Sequence, residues 1–265
     1  MGKSLYIIDR EIDIKNIAIG IPWKCDAAAY NMKFPEKHIN ITSNEQSNWT
    51  DQLGNIEEIT TIFIGCQLNK KEYEILNKMN NIEEIYIAQA IELDHIEFIL
   101  DKVKLRSLYI EDSKITDLKP LLSLMNSQQL IMKNDKKIFF DKLQNVAIVN
   151  AEIEELSCFC GFKGYISDLN LHGNKIVDLT PLENTGIYYA DFSKNHITDI
   201  SNFMNKHRGT YLMDFTDNDI EKIDLKEPEN PVLPSRFFLG GNRITDYSIF
   251  KEQYFVDTDI PGTMY

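Results

Sequence analysis

The 265-residue sequence has little of what marks an exported or membrane-bound protein. Its four cysteines are too few and too unevenly spaced for a disulfide framework, and they fit a reducing cytoplasm. No apolar stretch approaches the roughly 18 residues that a membrane-spanning helix needs. The apolar start at residues 5–8 is followed at once by charged residues, unlike an export signal. We therefore expect a cytoplasmic protein with no membrane partner.

Positive charge is also scarce. The chain has 28 Lys and Arg against 41 Asp and Glu, which gives a formal net charge of -13. Such a surface repels phosphate backbones and anionic lipid headgroups, so no nucleic-acid partner is expected. The acidity serves either solubility alone or the recognition of a basic partner surface. Hydrophobic residues make up 43% of the chain, enough to form a core.

Motifs of catalysis and metal binding are missing as well. The sequence has no phosphate-binding P-loop, no Gly-x-Ser-x-Gly elbow and no His-Glu-x-x-His helix. Cys158 and Cys160 form a Cys-x-Cys pair, but no second pair and no neighbouring histidine completes a zinc site. We predict a non-enzymatic chain without a cofactor or a metal.

What the sequence does contain is a repeat. Residues 166–182 read I-x-x-L-x-L-x-x-N-x-I-x-D-L-x-P-L, which is the spacing of a leucine-rich repeat. With Asn174 as the anchor, the frame recurs after it at Asn195, Asn218 and Asn242. Before it, the frame fits the anchors Asn44, Gln67, Ala90, Ser113 and Ala151. The step from 44 to 113 is 23 residues each time, which predicts stacked units of one kind.

Each unit has a physical interpretation. Leu-x-Leu forms a short strand with two side chains in the core, and the anchor amide bonds neighbouring backbone that is otherwise unsatisfied. Alanine anchors cannot do this, so we expect the central repeats to be less regular. The interval from 113 to 151 is too long, and its surplus lies near residues 125–142. This segment is predicted to be either a shortened extra repeat, with Leu130 and Met132 in its strand, or a loop.

The segments Ile-Thr-Asp-Leu-Lys-Pro-Leu at 115–121 and Ile-Val-Asp-Leu-Thr-Pro-Leu at 176–182 resemble the bacterial repeats of the internalins and the related SDS22-like class. The resemblance implies an α/β leucine-rich-repeat solenoid, a curved right-handed horseshoe with a parallel sheet on the concave face and short 3₁₀ or α turns on the convex face. It also implies ligand binding on that sheet. We expect one domain over 1–265, with a cap at 1–35, a capping strand at 11–19, nine or ten repeats over 36–250 and a cap at 251–265.

In this frame the residues six, four and two before each anchor face away from the core, onto the concave sheet. Three successive aromatic residues and a polar, acidic group occupy these positions. The predicted partner-binding residues are Phe63, Tyr86, Tyr109, Asp168, Asn170, His172, Tyr189, Asp191, Asp214 and Phe238. Exposed aromatic rings beside carboxylates suit a protein partner with an apolar centre and a basic rim. The alternative is that a loop or cap covers the aromatic strip.

The sequence thus predicts a non-enzymatic protein-binding module, in the role of an intracellular adaptor or a toxin-neutralising immunity-type protein. One alternative is a bacterial effector delivered into another cell. A second is an enzyme that uses Asp191 and Asp214 as an acid pair on the concave face, although paired carboxylates without a nucleophile are more often recognition groups.

Overall fold

The computed structural model describes residues 3–8, 38–42, 55–65, 70–134, 143–207, 210–226, 234–246 and 255–257. The chain forms two compact units. The first comprises residues 1–114 and 123–143, and the second comprises residues 115–122 and 144–265. Among the described helices, none has both the length and the apolar character needed to span a bilayer.

Five parallel strands are described in the first unit. They are β1 (Lys3–Ile8), β2 (His38–Thr42), β3 (Ile59–Gly65), β4 (Glu84–Ile87) and β5 (Ser107–Glu111). Their order in the sheet is β2-β1-β3-β4-β5. Helix α1 (Lys70–Lys78) connects β3 to β4, and 3₁₀ turns occupy Ile56–Glu58 and Glu97–Ile99. Because β3, β4 and β5 are parallel and in register, they present equivalent positions of their repeats to the core.

The order of these strands corrects the sequence frame at its start. The strand before the anchor at 44 does form, as β2, but it pairs with β1 and not with β3. Leu5 is in register with both Ile39 and Ile62, so β1 fills a repeat position between them. A constant step of 23 residues therefore does not make the first two anchored repeats neighbours. The strand predicted at 11–19 lies outside the described residues.

A buried lysine closes helix α1. Lys102 has no exposed surface, and its Nζ donates to the carbonyl oxygens of Leu76 at 2.5 Å and Met79 at 3.3 Å. Leu76 lies in the last turn of α1 and Met79 directly follows the helix, where backbone carbonyls lack full intrahelical partners. Burial lowers the pKa of Lys102 to about 8. This side chain thus joins its own turn to the end of helix α1.

The irregular segment after the anchor at 113 is a helix. Helix α2 (Lys119–Asn134) includes Leu130 and Met132, so the strand of an extra repeat predicted there is wrong. Pro120 occupies its first turn, where no intrahelical donor is needed. Gln128 is 2% exposed; its Nε2 donates to the carbonyls of Val103 and Leu105, and its Oε1 accepts from the Leu143 backbone N–H. One amide therefore anchors the helix within the first unit.

Within the described part of the second unit there are six parallel strands. They are β6 (Asn145–Val149), β7 (Tyr165–Asn170), β8 (Gly186–Asp191), β9 (Leu212–Asp214), β10 (Arg236–Phe238) and β11 (Phe255–Asp257), paired in chain order. Helix α3 (Ser201–Lys206) and 3₁₀ turns at Ser157–Phe159 and Thr180–Leu182 join them. The core is a stack of apolar side chains such as Leu169, Phe192 and Phe215, all 1% exposed or less. β11 adds one strand beyond the last predicted anchor.

The asparagine anchors form the ladder that the sequence predicts, within the second unit. Asn195 is typical: its Nδ2 donates to the carbonyls of Leu171 at 3.0 Å and Phe192 at 3.0 Å, and its Oδ1 accepts from the Ile176 N–H at 3.0 Å. Asn174, Asn218 and Asn242 make the equivalent bonds. Each amide thus joins its own repeat to the preceding one.

A second recurring feature was not predicted. The residue directly before each described anchor has a positive φ: Gln89, Asp112, Asn150, Gly173, Lys194, Asp217 and Gly241. Left-handed backbone is uncommon outside glycine, asparagine and aspartate. In the second unit, the N–H of Gly173 donates to the Ser193 carbonyl and that of Lys194 to the Thr216 carbonyl. The tight turn into the anchor is therefore bonded from one repeat to the next.

Gly173 carries a testable consequence of this turn. Its φ is +68, and a Cβ there would lie 2.2 Å from Oδ1 of Asn150 in the preceding repeat. We expect Gly173→Ala to lower the free energy of unfolding by about 1–3 kcal/mol through backbone strain and this contact. Urea unfolding followed by circular dichroism measures it. In an Asn150→Gly background the same change is expected to cost less, and an equal cost in both backgrounds would rule out the contact.

Aspartates explain the remaining part of the repeat motif. In the second half of their repeats, Asp117, Asp178 and Asp199 each accept a hydrogen bond at Oδ1 from the backbone N–H two residues later. This is the bond by which aspartate starts a helix or turn. The Ile-x-Asp pattern therefore marks the start of each outer turn.

Candidate functional site

The predicted aromatic strip of the first unit is present but is not an open surface. We call the face that carries the positions six, four and two before each anchor the outer face. Phe63, Tyr86 and Tyr109 are in register on it. Phe63 and Tyr86 stack at 4.6 Å between ring centroids, and Tyr86 lies 6.4 Å from Tyr109. All three are 5% exposed or less, so their expected exposure is wrong.

The chemistry of these rings agrees with burial. Burial raises the pKa of Tyr86 and of Tyr109 well above the ordinary tyrosine value. The Tyr109 hydroxyl donates to Oε2 of Glu111 at 2.8 Å. Both faces of β4 and β5 are thus packed, and the rings are part of the core because parallel strands bring neighbouring rings within stacking distance. Removing these rings would test the fold before it tested any ligand.

The polar column of the second unit serves its own turns. Asn170, Asp191 and Asp214 lie side by side on β7, β8 and β9. Each accepts at Oδ1 from the backbone N–H two residues later, at 2.9 Å. Asp191 and Asp214 accept in addition from the hydroxyls of Ser193 and Thr216. The acidic patch predicted from sequence is therefore largely committed to holding the strand ends, a local bond that the repeat pattern does not reveal.

A hydrogen-bonded chain joins three of these side chains. The Ser193 hydroxyl donates to Oδ1 of Asp191 at 2.5 Å, and it lies 2.7 Å from Nδ1 of His172. Because the hydroxyl has one proton, His172 donates from Nδ1 and its Nε2 remains an acceptor. Burial lowers the pKa of His172, in keeping with a neutral ring. Ser193 is 4% exposed, so this arrangement orients a histidine and presents no nucleophile.

The open part of the outer face is a cluster of tyrosines. Tyr188 stacks on Tyr211 at 5.7 Å between ring centroids, and both contact Tyr189 edge-on, at 4.7 and 5.7 Å. The guanidinium of Arg236 lies 5.9 Å from the Tyr211 ring centroid. Tyr165 is 43% exposed and Tyr188 37%. We call these five residues the tyrosine cluster.

Tyr189 is the one residue of this cluster that the sequence predicts to bind the partner. Tyr188 and Tyr211 stand seven residues before their anchors, a position assigned neither to the core nor to the outer face. They lie where β8 and β9 begin, and the ring of Tyr165 reaches β8 because Gly186 has no side chain. A Cβ at Gly186 would be 2.9 Å from Cδ2 of Tyr165. The sequence feature that could have identified Tyr188 and Tyr211 is a tyrosine seven residues before each of two successive anchors.

Asp168 is the charged group of this region. It is in register with Tyr189 on β8 and with Asn145 on β6, and it is half-buried. Burial raises its pKa to about 6, against a hydrogen bond from Ser167 that acts in the opposite direction. Its charge in turn contributes to the raised pKa of Tyr165, after burial. Asp168 and the tyrosine cluster therefore form one continuous surface over β7 to β10.

Phe238 is the remaining predicted site residue. Phe238 is 7% exposed and packs within the second unit, so it offers little contact surface. Across the described parts of the chain, no group of three histidine, cysteine or carboxylate side chains is arranged to hold a metal ion. Cys158 is half-buried and burial raises its pKa to about 11, whereas Cys160 is exposed.

Comparison with solved structures agrees with the ladder and the parallel strands. A leucine-rich-repeat protein of Leptospira interrogans aligns over 76% of this chain and 49% of its own, with a TM-score of 0.51 at 15% identity. This chain has the leucine-rich-repeat fold. Among the other similar structures, an internalin of Listeria monocytogenes aligns over 78% of this chain and 69% of its own, at 16% identity and a TM-score of 0.41.

A second internalin of that organism, internalin C2, aligns over 69% of this chain and 74% of its own, at 18% identity and a TM-score of 0.35. No protein-family model and no curated protein sequence matches the chain. The leucine-rich-repeat chain spans about half of the Leptospira protein, at 49% of its length. The alignment with the Leptospira structure shows the fold alone, so the site is argued from its own residues.

Proposed function

We propose that this leucine-rich-repeat chain is a non-enzymatic protein-binding module and that it binds its partner through the tyrosine cluster and Asp168. The observation that carries this proposal is the exposure of Tyr165 and Tyr188, which keep 43% and 37% of their surface in water. Apolar rings left in contact with water mark interaction surfaces.

The composition of the surface supports a protein as the ligand. Tyrosine and arginine are the residues most enriched among interface anchors, since they bury a large area and still offer a polar group. The cluster contains four tyrosines and one arginine within four neighbouring strands. The net charge of -13 favours a partner whose rim is basic, and it disfavours nucleic acid and anionic membranes.

The enzymatic alternative loses its best candidate. Asp191 and Asp214 were the acid pair considered for hydrolysis, and each uses Oδ1 twice to hold its own turn. Ser193 donates its proton to Asp191 and is buried. General acid or base work needs a carboxyl group within reach of substrate and free to exchange a proton. A binding role therefore explains this face better than a catalytic role.

Within that class, the role we propose is an intracellular adaptor or a toxin-neutralising immunity-type protein. The free thiols of Cys158 and Cys160 fit a reducing compartment. The acidic composition suits capture of a basic toxin or a basic partner surface. We further propose that residues 1–265 act as one binding domain without a cofactor.

Removal of two rings tests the proposal. We expect Tyr188→Ser/Tyr211→Ser to lose the partner that the wild-type chain captures from the lysate of its native organism, because truncating an interface anchor costs about 2 kcal/mol or more. Quantitative mass spectrometry identifies the partner, and titration calorimetry with the purified pair gives the change in affinity.

The matched control is Val177→Ser, which removes an exposed apolar side chain outside the tyrosine cluster. It is expected to retain the partner at wild-type affinity. A folded double-serine variant that retains the partner would contradict the proposed surface, and a partner lost with Val177→Ser would move the binding surface away from the outer face.

A further inference from the structure

The two ends of the tyrosine cluster differ in charge. At the β10 end, the guanidinium of Arg236 lies over the Tyr211 ring, so a cation is already in place there. At the β7 end stands the carboxylate of Asp168, in register with Tyr189 and close enough to Tyr165 to raise the pKa of that hydroxyl. A surface of aromatic rings with a carboxylate at its edge attracts a cation through two interactions, one with the ring faces and one with the negative charge.

Asp168 has no such cation from the described part of the chain. Its one polar partner is Ser167, and no described lysine, arginine or histidine forms an ion pair with it. A half-buried carboxylate without a cation is costly to ionise, because water is partly removed and the single hydrogen bond from Ser167 replaces only part of it. A cation that offsets this cost by pairing with Asp168 would therefore come from outside the described residues.

A second polar atom on the same strand is also unused. Asn170 is 2% exposed and follows Asp168 by two residues on the outer face of β7. Its Oδ1 accepts from the His172 N–H, but its Nδ2 has no hydrogen-bond partner among the described residues. A buried donor without an acceptor costs about 1–3 kcal/mol. Strand β7 thus carries, on one face, a carboxylate with no cation among the described residues and an amide donor with no acceptor among them.

We propose that Asp168, with the rings of Tyr165 and Tyr188, forms a subsite for one cationic side chain of the protein partner, an arginine or a lysine. This inference rests on the proposed function and specifies the chemistry that its surface selects. Arginine fits best, since its planar guanidinium stacks on tyrosine and bonds a carboxylate through two parallel N–H groups. Arg236 on Tyr211 shows that rings of this cluster accept a guanidinium.

Asp168→Asn is the variant that isolates the charge. It keeps the size and shape of the side chain and removes the carboxylate, and because Asp168 is costly to ionise we expect the variant to fold and to melt no lower than the wild type. Glu155→Gln is the control, since Glu155 is an exposed carboxylate outside the cluster. Circular dichroism and thermal melting check both proteins before any binding experiment.

The probe is a random-peptide display library, selected in parallel on the wild type, Asp168→Asn, Glu155→Gln and Tyr188→Ser/Tyr211→Ser. We expect peptides that depend on Tyr188 and Tyr211 to be enriched in arginine or lysine on the wild type and on Glu155→Gln, and to lose this enrichment on Asp168→Asn. A synthetic copy of the most enriched peptide is expected to bind Asp168→Asn at least tenfold more weakly than the wild type in titration calorimetry.

Two other results overturn the inference, and they differ in what else they overturn. If enriched peptides depend on Tyr188 and Tyr211 but carry no excess of arginine or lysine, the cationic subsite is wrong and the proposed binding surface stands. If no enriched peptide depends on the two tyrosines, both the subsite and the proposed surface are wrong.

Discussion

Asn195→Ala is expected to lower the free energy of unfolding by about 3–5 kcal/mol, because it leaves several buried backbone groups without partners. The lost bonds are those from Nδ2 to the carbonyls of Leu171, Phe192 and Ser193 and that from the Ile176 N–H to Oδ1. Asn195 is 4% exposed, so water cannot replace them without opening the turn. Its amide joins two repeats, and the loss weakens both.

Urea unfolding of the purified chain, followed by circular dichroism, measures this effect. Asn184→Ala is the matched control, because Asn184 is an exposed asparagine of the same unit whose Nδ2 bonds only the neighbouring Glu183 side chain among the described contacts. We expect the control to change stability by less than about 0.5 kcal/mol. A cost below about 1 kcal/mol for Asn195→Ala would show that the ladder contributes little to stability.

Gln128→Ala is expected to lower the free energy of unfolding by about 2–4 kcal/mol. Its side-chain amide makes three bonds to backbone groups that lie 15 to 25 residues away in sequence. The alanine variant leaves two carbonyls and one N–H unsatisfied and also opens a cavity under helix α2. Hydrogen exchange is expected to show faster exchange at the Leu143 N–H, which Gln128 protects.

Ser127→Ala is the control for this helix. Ser127 is exposed and its hydroxyl bonds only the Ser123 carbonyl of the same helix. We expect it to be neutral within about 0.5 kcal/mol, since alanine is a better helix former than serine. If Gln128→Ala were as mild as the control, the amide would not be what holds helix α2 to its unit.

These two variants act far more strongly on the fold than any variant of the proposed binding surface should. Tyr188 lies in the first half of β8 and Tyr211 directly precedes β9. Both keep part of their rings in water, so their replacement removes little buried area. This separation is useful in practice. A loss of binding in a variant of the tyrosine cluster that unfolds like the wild type reports on the surface itself, whereas a loss in a ladder variant does not.

How far the sequence predicts the site depends on the position in the repeat. Leu169 and Leu171 were assigned to the core from spacing alone, and both are 1% exposed or less. Tyr189 was assigned to the outer face and lies there beside Tyr188. Spacing succeeds in these cases because a strand alternates its side chains strictly, so one anchor defines the direction of every neighbour.

The alternation of side chains along a strand could not distinguish an exposed position on the outer face from a buried one. Tyr86 and Tyr189 occupy equivalent faces, yet Tyr86 is 5% exposed and Tyr189 keeps more of its surface. Burial depends on what packs on the face, and local periodicity contains no information about packing partners distant in sequence. For the same reason the capping roles of Asp191 and Asp214 appear only with the hydroxyls of Ser193 and Thr216 in place.

By itself, the sequence determined the repeat, its anchors and the parallel strands between them, because each depends on contacts within one unit of about 23 residues or with the next. Only the tertiary structure decided that β1 lies between β2 and β3, that residues 119–134 are a helix, and that the exposed rings lie over β7 to β10. These features follow from pairing and packing between segments far apart along the chain. Local sequence patterns do not specify which of these segments pair or pack together.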